Sequence, residues 1–152
     1  MKAIRIHQTG GPEVMRLEEI ETPAPGPGEV LIRVAAAGIN YADLAQRQGA
    51  YLTPTRVPLT LGMEVAGTVA ALGSGVTTPP VGARVAALVS GGYAEYAVTL
   101  AGALIPIPDD LDFARAAAFP LQGLTAYQLL RESARLQAGE RVLVHAAAGG
   151  VG

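Results

Sequence analysis

The stretch GERVLVHAAAGGVG, Gly139–Gly152, carries the strongest statement about architecture in the chain. A short, nearly continuous apolar run feeds directly into a glycine-rich turn. Glu140 to His145 reads as a strand buried on both faces, as in a parallel sheet. Ala147-x-Gly149-x-x-Gly152 fits a dinucleotide phosphate loop with alanine at the first glycine position. Glycines at such a turn let backbone N–H groups approach a pyrophosphate, and a following helix directs its positive end at the same anion. The pattern alone is weak, because any buried strand can close on glycines. The acidic residue that separates NAD from NADP sites falls about 20 residues further on, past Gly152.

Upstream of this stretch the texture is helical. Asp109–Glu140 is rich in Ala and Leu at helical spacing. Asp112 is expected to cap a short helix from about Phe113, Pro120 to break it, and a second helix to run from about Leu124 to Ser133, with Gly139 allowing a turn. Before Asp109 the apolar runs are short, β-branched or alternating, and bounded by Gly or Pro: KAIRIH, EVLIRVAAAG, EVAGTVAALG, ARVAALV, YAEYAVTL and ALIPIP. Such runs predict many short strands with tight turns, a small barrel or sandwich. The expected layout is a β-rich domain, a helical bridge and the first strand of an α/β unit.

Composition narrows the function classes. The chain has 152 residues with a formal net charge of −2; 50% are hydrophobic and 16% charged. No basic patch suggests nucleic acid, and no segment is long and apolar enough to span a membrane. There are no cysteines, which removes disulfide frameworks, thiol nucleophiles and cysteine-ligated zinc. The N-terminus is charged throughout, unlike a signal peptide, and the simplest setting is cytoplasmic.

Six stretches, in this order, resemble the quinone oxidoreductase (zeta-crystallin-like) branch of the medium-chain dehydrogenase/reductase superfamily. They are GGPEVMRLEE (10–19), PGPGEVLIRVAAAGINYADLAQRQGAY (25–51), PLTLGMEVAGTVAALGSGV (58–76), GGYAEYAV (91–98), AAAFPLQGLTAYQLL (116–130) and GERVLVHAAAGGVG (139–152). The resemblance implies a GroES-like barrel catalytic domain over residues 1–122, lacking a returning C-terminal segment. Residues 123–152 would be the bridging helix and the start of a truncated Rossmann NADP-binding domain. It also implies NADPH as cofactor, a quinone or enone as substrate, and a homodimer formed through the missing Rossmann segment.

Zinc-dependent members of the superfamily place their ligands at positions that match Asn40, Met63 and Leu121. An amide, a thioether and an alkyl chain are poor zinc ligands, so no metal is expected. His7 and His145 have no ligand spacing around them and read as strand or strand-end residues. Hydride transfer from a nicotinamide needs no metal, but donors must stabilise the charge that develops on the acceptor's carbonyl oxygen. The expected catalytic residues are Tyr51, near the substrate, and Asn40, near the nicotinamide ribose. The expected cofactor contacts are Asn40, Tyr41, Asp43, Thr125, Gln128, Ala147, Gly149, Gly150, Val151 and Gly152. Asp43 is favoured as a capping or loop-orienting carboxylate, Glu64 as a structural carboxylate paired with a cation, and Tyr93 and Tyr96 as barrel packing.

The leading expectation is therefore a zinc-independent, NADPH-dependent quinone reductase. An enone or enoyl reductase of the same family is the alternative, followed by a GroES-like fragment acting as a non-catalytic binding module. One strand and one turn cannot hold a dinucleotide, so these 152 residues alone are expected to be inactive. The unpaired apolar strand is expected to belong with a missing partner segment, to self-associate, or to be disordered and cut by protease after about Gly139.

Overall fold

A computed structural model describes residues 1–152. Eight strands make two antiparallel sheets. Strands β1 (Lys2–Ile6), β2 (Arg16–Glu19) and β4 (Leu59–Thr60) form one, in the order β2-β1-β4. Strands β3 (Glu29–Ala37), β5 (Glu64–Leu72), β6 (Arg84–Leu88), β7 (Tyr96–Leu100) and β8 (Ile105–Pro106) form the other, ordered β7-β3-β5-β6-β8. Residues 93–95 stitch the two together. Ile4 N donates to Tyr93 O, Glu95 N to Lys2 O and Tyr93 N to Leu61 O. The short β-rich runs bounded by Gly and Pro thus become two sheets joined into one barrel-like body.

Strand periodicity sorts the core. Val30, Ile32, Val65, Val69, Val85 and Ala87 face inward from β3, β5 and β6 and form the main cluster. Each of these strands turns its alternate residues to the opposite face. There Ala66 and Ala86 meet Ala116 and Ala117 of helix α2 (Phe113–Ala117). Four methyl-sized side chains let the helix lie close against the sheet. Gly67 serves the same closeness between strands: a Cβ there would lie 2.0 Å from the carbonyl oxygen of Arg33 on β3.

Helix α1 (Tyr41–Gln48) follows β3. Helix α2 is capped as its sequence suggests, with Asp112 Oδ1 accepting from Arg115 N at 2.8 Å. Arg84 ties the capping loop to β6. Its guanidinium donates to the carbonyls of Asp109 and Leu111 and lies 4.6 Å from the centre of the Phe113 ring. Pro120 ends one helix and also opens the next, since its missing N–H is harmless in a first turn. Helix α3 therefore spans Pro120–Tyr127, earlier than the spacing predicted, and Gln128–Ser133 continues it with π-helical winding.

The strand expected over Glu140 to His145 does not form. Residues 139–152 follow turns and irregular backbone, and all are exposed. Val142, Leu143 and Val144 are 47%, 80% and 50% exposed. The physical reason is the absence of neighbours. A parallel-sheet strand takes its hydrogen bonds and its cover from other strands and helices, and none in this chain offers either. With no strand to launch it, the glycine-rich segment does not take up a strand-to-helix phosphate loop; it closes a turn in which Gly149 N donates to Ala146 O.

Candidate functional site

The site is built where the end of β3, the start of α1, the start of β5 and the first turn of α3 converge. Asn40 precedes α1 and is buried. Its backbone N donates to Asp43 Oδ2 at 2.8 Å, and Asp43 N returns a bond to Asn40 O at 3.0 Å. Asp43 is thus the capping carboxylate that its spacing from Asn40 suggested. The cap fixes the backbone of Asn40, and so the direction of its side chain.

That side chain sits inside a chain of hydrogen bonds. Asn40 Nδ2 donates to Glu64 Oε1 at 2.8 Å, and Leu121 N donates to Glu64 Oε2 at 2.8 Å. Gln122 Nε2 donates to Asn40 Oδ1 at 2.7 Å. Glu64 is fully buried. Its partners are amide N–H groups and not the cation expected from sequence, for no Lys, Arg or His nitrogen lies within 4.0 Å of its carboxylate. Charge-assisted hydrogen bonds can hold a buried carboxylate in place of an ion pair. Gly38 makes room for it, since a Cβ at Gly38 would lie 2.2 Å from Glu64 Oε1.

A second branch runs through Tyr93. Its ring packs against Ile6, Val14 and Leu61, as barrel packing predicts. Its hydroxyl, however, donates to Asp43 Oδ2 at 3.0 Å. Burial, the charge of Asp43 and this hydrogen bond, with a smaller effect of Glu64, push the phenol well above the usual tyrosine range. Tyr93 therefore remains a proton-bearing donor at neutral pH. Sequence reasoning missed its link to Asp43, because the partners lie 50 residues apart and no local pattern joins them. Gln122 was missed for the same reason. Its only signal was its place two residues after Pro120 in the bridging segment.

The other expected residues are dispersed. Tyr41 is 85% exposed at the start of α1. Tyr51 is half-buried in a bend after α1. Thr125 and Gln128 do share a surface, a groove of about 240 Å³ with Leu88, Leu121, Leu124 and Leu129. The Thr125 hydroxyl is spent on Leu121 O at 2.6 Å. Ala147, Gly149, Val151 and Gly152 are exposed. Gly150 lies against Gln122: a Cβ there would come 3.0 Å from Gln122 Nε2. The structure thus brings Asn40, Asp43 and Gly150 to one cluster through Gln122, and sets Thr125 and Gln128 on the groove beside it. His7, just after β1, meets Glu18 at 2.6 Å, and His145 is exposed.

Comparison with known proteins gives this geometry a family. Residues 26–109 match the alcohol dehydrogenase GroES-like domain. The quinone oxidoreductase of Lama guanicoe is 44% identical over 155 aligned positions, covering 100% of this chain and 47% of that protein. The Escherichia coli quinone oxidoreductase, solved in complex with NADPH, superposes with a TM-score of 0.91 at 38% identity, over 99% of this chain and 47% of that one. The CurK enoyl reductase superposes with a TM-score of 0.92 at 33% identity, over 99% and 48%. The chain spans about half the length of the relatives it matches. It belongs to the alcohol dehydrogenase GroES-like domain family and, within the medium-chain dehydrogenase/reductase superfamily, to the N-terminal half of the quinone oxidoreductase branch.

Proposed function

We propose that the protein carrying this chain is a zinc-independent, NADPH-dependent reductase that passes hydride or electrons to a quinone. The observation that carries the reading is the buried chain Leu121–Glu64–Asn40–Gln122, ending beside Gly150. It puts two oriented amides where the barrel meets the glycine-rich segment. The relatives supply the rest: several are quinone oxidoreductases, and two similar structures were solved with NADPH. The donor set fits a nicotinamide cofactor. Asn40 and Gln122 provide amide donors and acceptors for a sugar, while backbone N–H groups of Gly149–Gly152 would face phosphate only where a following α/β segment draws this stretch out of its present turn, in which Gly149 N is bonded to Ala146 O.

When bound, NADPH supplies the hydride. Asn40, clamped on both side-chain atoms, keeps a second N–H on Nδ2 and cannot reorient. Tyr51 is assigned the donor role opposite the acceptor's carbonyl, where a phenol stabilises developing negative charge. Asp43 and Tyr93 hold the backbone of Asn40 in register. Zinc independence rests on side-chain chemistry: the Asn40 amide is engaged by Glu64 and Gln122, and neither Met63 nor Leu121 offers nitrogen, oxygen or thiolate. The same reading places the enzyme in the cytoplasm as a homodimer joined through a following α/β segment, with residues 1–122 as catalytic domain and 123–152 as the entry to the cofactor domain. No helix is long and apolar enough to cross a membrane.

An enone or enoyl reductase is the second reading, favoured by the likeness to the CurK enoyl reductase. Steady-state oxidation of NADPH by the purified full-length protein separates the two, with benzoquinone, cyclohexenone and an enoyl thioester as acceptors in the presence of EDTA. Quinone is expected to give the largest kcat/KM, undiminished by the chelator. A preference for the enoyl thioester would replace the first reading by the second. No turnover and no NADPH binding would leave a GroES-like binding module. Chelator-sensitive turnover would refute zinc independence.

A further inference from the structure

The direction of the buried hydrogen-bond chain fixes more than its own members. Leu121 N–H can only donate, so the Glu64 oxygen it meets must accept. The other Glu64 oxygen also accepts, so Asn40 turns its Nδ2 toward Glu64 and its Oδ1 away. Asn40 Oδ1 then requires a donor, which turns Gln122 Nε2 toward Asn40 and leaves Gln122 Oε1 on the other side of its amide. The polarity set by Glu64 passes through two amides to a single atom. That atom, Gln122 Oε1, is buried and has no hydrogen-bond partner in the protein. Its side chain lies against the backbone of Gly150.

A buried acceptor of this kind favours a ligand that brings a donor. The partners of the proposed reaction differ in what they can offer. A simple quinone or enone carries only carbonyl acceptors, and phosphate groups are acceptors too. The dinucleotide alone carries donors, in its sugar hydroxyls and amide N–H groups. We infer that Gln122 Oε1 accepts a hydrogen bond from a hydroxyl or amide N–H of the bound dinucleotide, and that Glu64 sets this acceptor from a distance by fixing the amides of Asn40 and Gln122. Gln122 is then a binding residue and Glu64 a positioning residue. The inference rests on the NADPH reading and assigns it a specific acceptor.

The test is NADPH titration of the full-length protein, followed by nicotinamide fluorescence, with thermal melting of each variant as the folding control. Gln122→Ala and the near-isosteric Gln122→Met remove the acceptor, and each should weaken NADPH about five- to tenfold. Glu64→Gln keeps one acceptor for Leu121 N but sets an amide NH₂ opposite Asn40. Asn40 and Gln122 must then flip, and Gln122 puts Nε2 in the buried position that Oε1 had held. NADPH affinity should fall by a similar factor although residue 64 touches no ligand. The double variant Glu64→Gln/Gln122→Met should bind no more weakly than Gln122→Met, because the flipped amide has no acceptor left to lose. Unchanged NADPH affinity in folded Gln122→Met overturns the inference, as does strict additivity in the double variant. Absence of NADPH binding by the unsubstituted protein overturns the reductase reading and this inference together, so the two failures are distinguishable.

Discussion

Replacing Tyr93 by Phe deletes one oxygen and tests the link between the barrel core and the site. The ring stays packed against Ile6, Val14 and Leu61. What is lost is the donor to Asp43 Oδ2, and the other Asp43 oxygen is already buried without a partner. A hydrogen bond to a charged group contributes about 1.5–3 kcal/mol; because the phenol is only partly buried, solvent screening brings the expected loss to about 1–2 kcal/mol at pH 7. Equilibrium urea unfolding should show this as a lower midpoint at unchanged slope. The pH dependence supplies an independent check. The folded phenol holds its proton to higher pH than an unfolded tyrosine, so the native state binds more protons than the unfolded chain above pH ~10. The stability that Tyr93 contributes is complete below about pH 10 and is lost as pH rises beyond it, by at most about 1.4 kcal/mol per pH unit. Tyr93→Phe lacks this loss, so its deficit should narrow between about pH 10 and pH 11. A variant within about 0.3 kcal/mol of the parent at pH 7, with a flat difference up to pH 11, would refute the reasoning.

Three further outcomes follow from named contacts. Gly38→Ala forces a methyl into the fully buried Glu64 carboxylate and should destabilise by about 3 kcal/mol or more, read from the urea midpoint, with loss of NADPH affinity in whatever fraction folds. Ala116→Leu overfills the alanine seam between α2 and the sheet and should cost about 1–3 kcal/mol; an unchanged melting temperature would mean that the helix sits further from the sheet than described. Asp112→Ala removes the cap on Arg115 N and should cost about 1 kcal/mol, with Asp112→Asn restoring most of it in the same unfolding assay.

What could be read from residues alone was local. Gly and Pro bounding short β-branched runs announced a β-rich body, because turn chemistry and strand period act over a few residues. The Asp112 cap, the helix at Phe113 and the pairing of Asn40 with Asp43 were legible for the same reason. The tail shows the limit of such reading. Arg141–His145 has the composition of a buried strand, but a strand exists only with neighbours to bond and cover it, and composition cannot supply them. Glu64 shows another limit. A structural role was expected for it, but the identity of its partners was not legible, because Asn40 lies 24 residues before it and Leu121 57 after it.

Order and chemistry of short motifs, carried by the sequence, were enough to determine a GroES-like domain and the pairing of Asn40 with Asp43. Tertiary structure alone decided that Tyr93 is tied to Asp43, that amides and not a cation hold Glu64, and that the oxygen of the Gln122 side chain is buried without a partner. Hydrogen-bond direction is a property of groups in contact. Only when the fold presses Leu121, Glu64, Asn40 and Gln122 together does each donor dictate the orientation of the next.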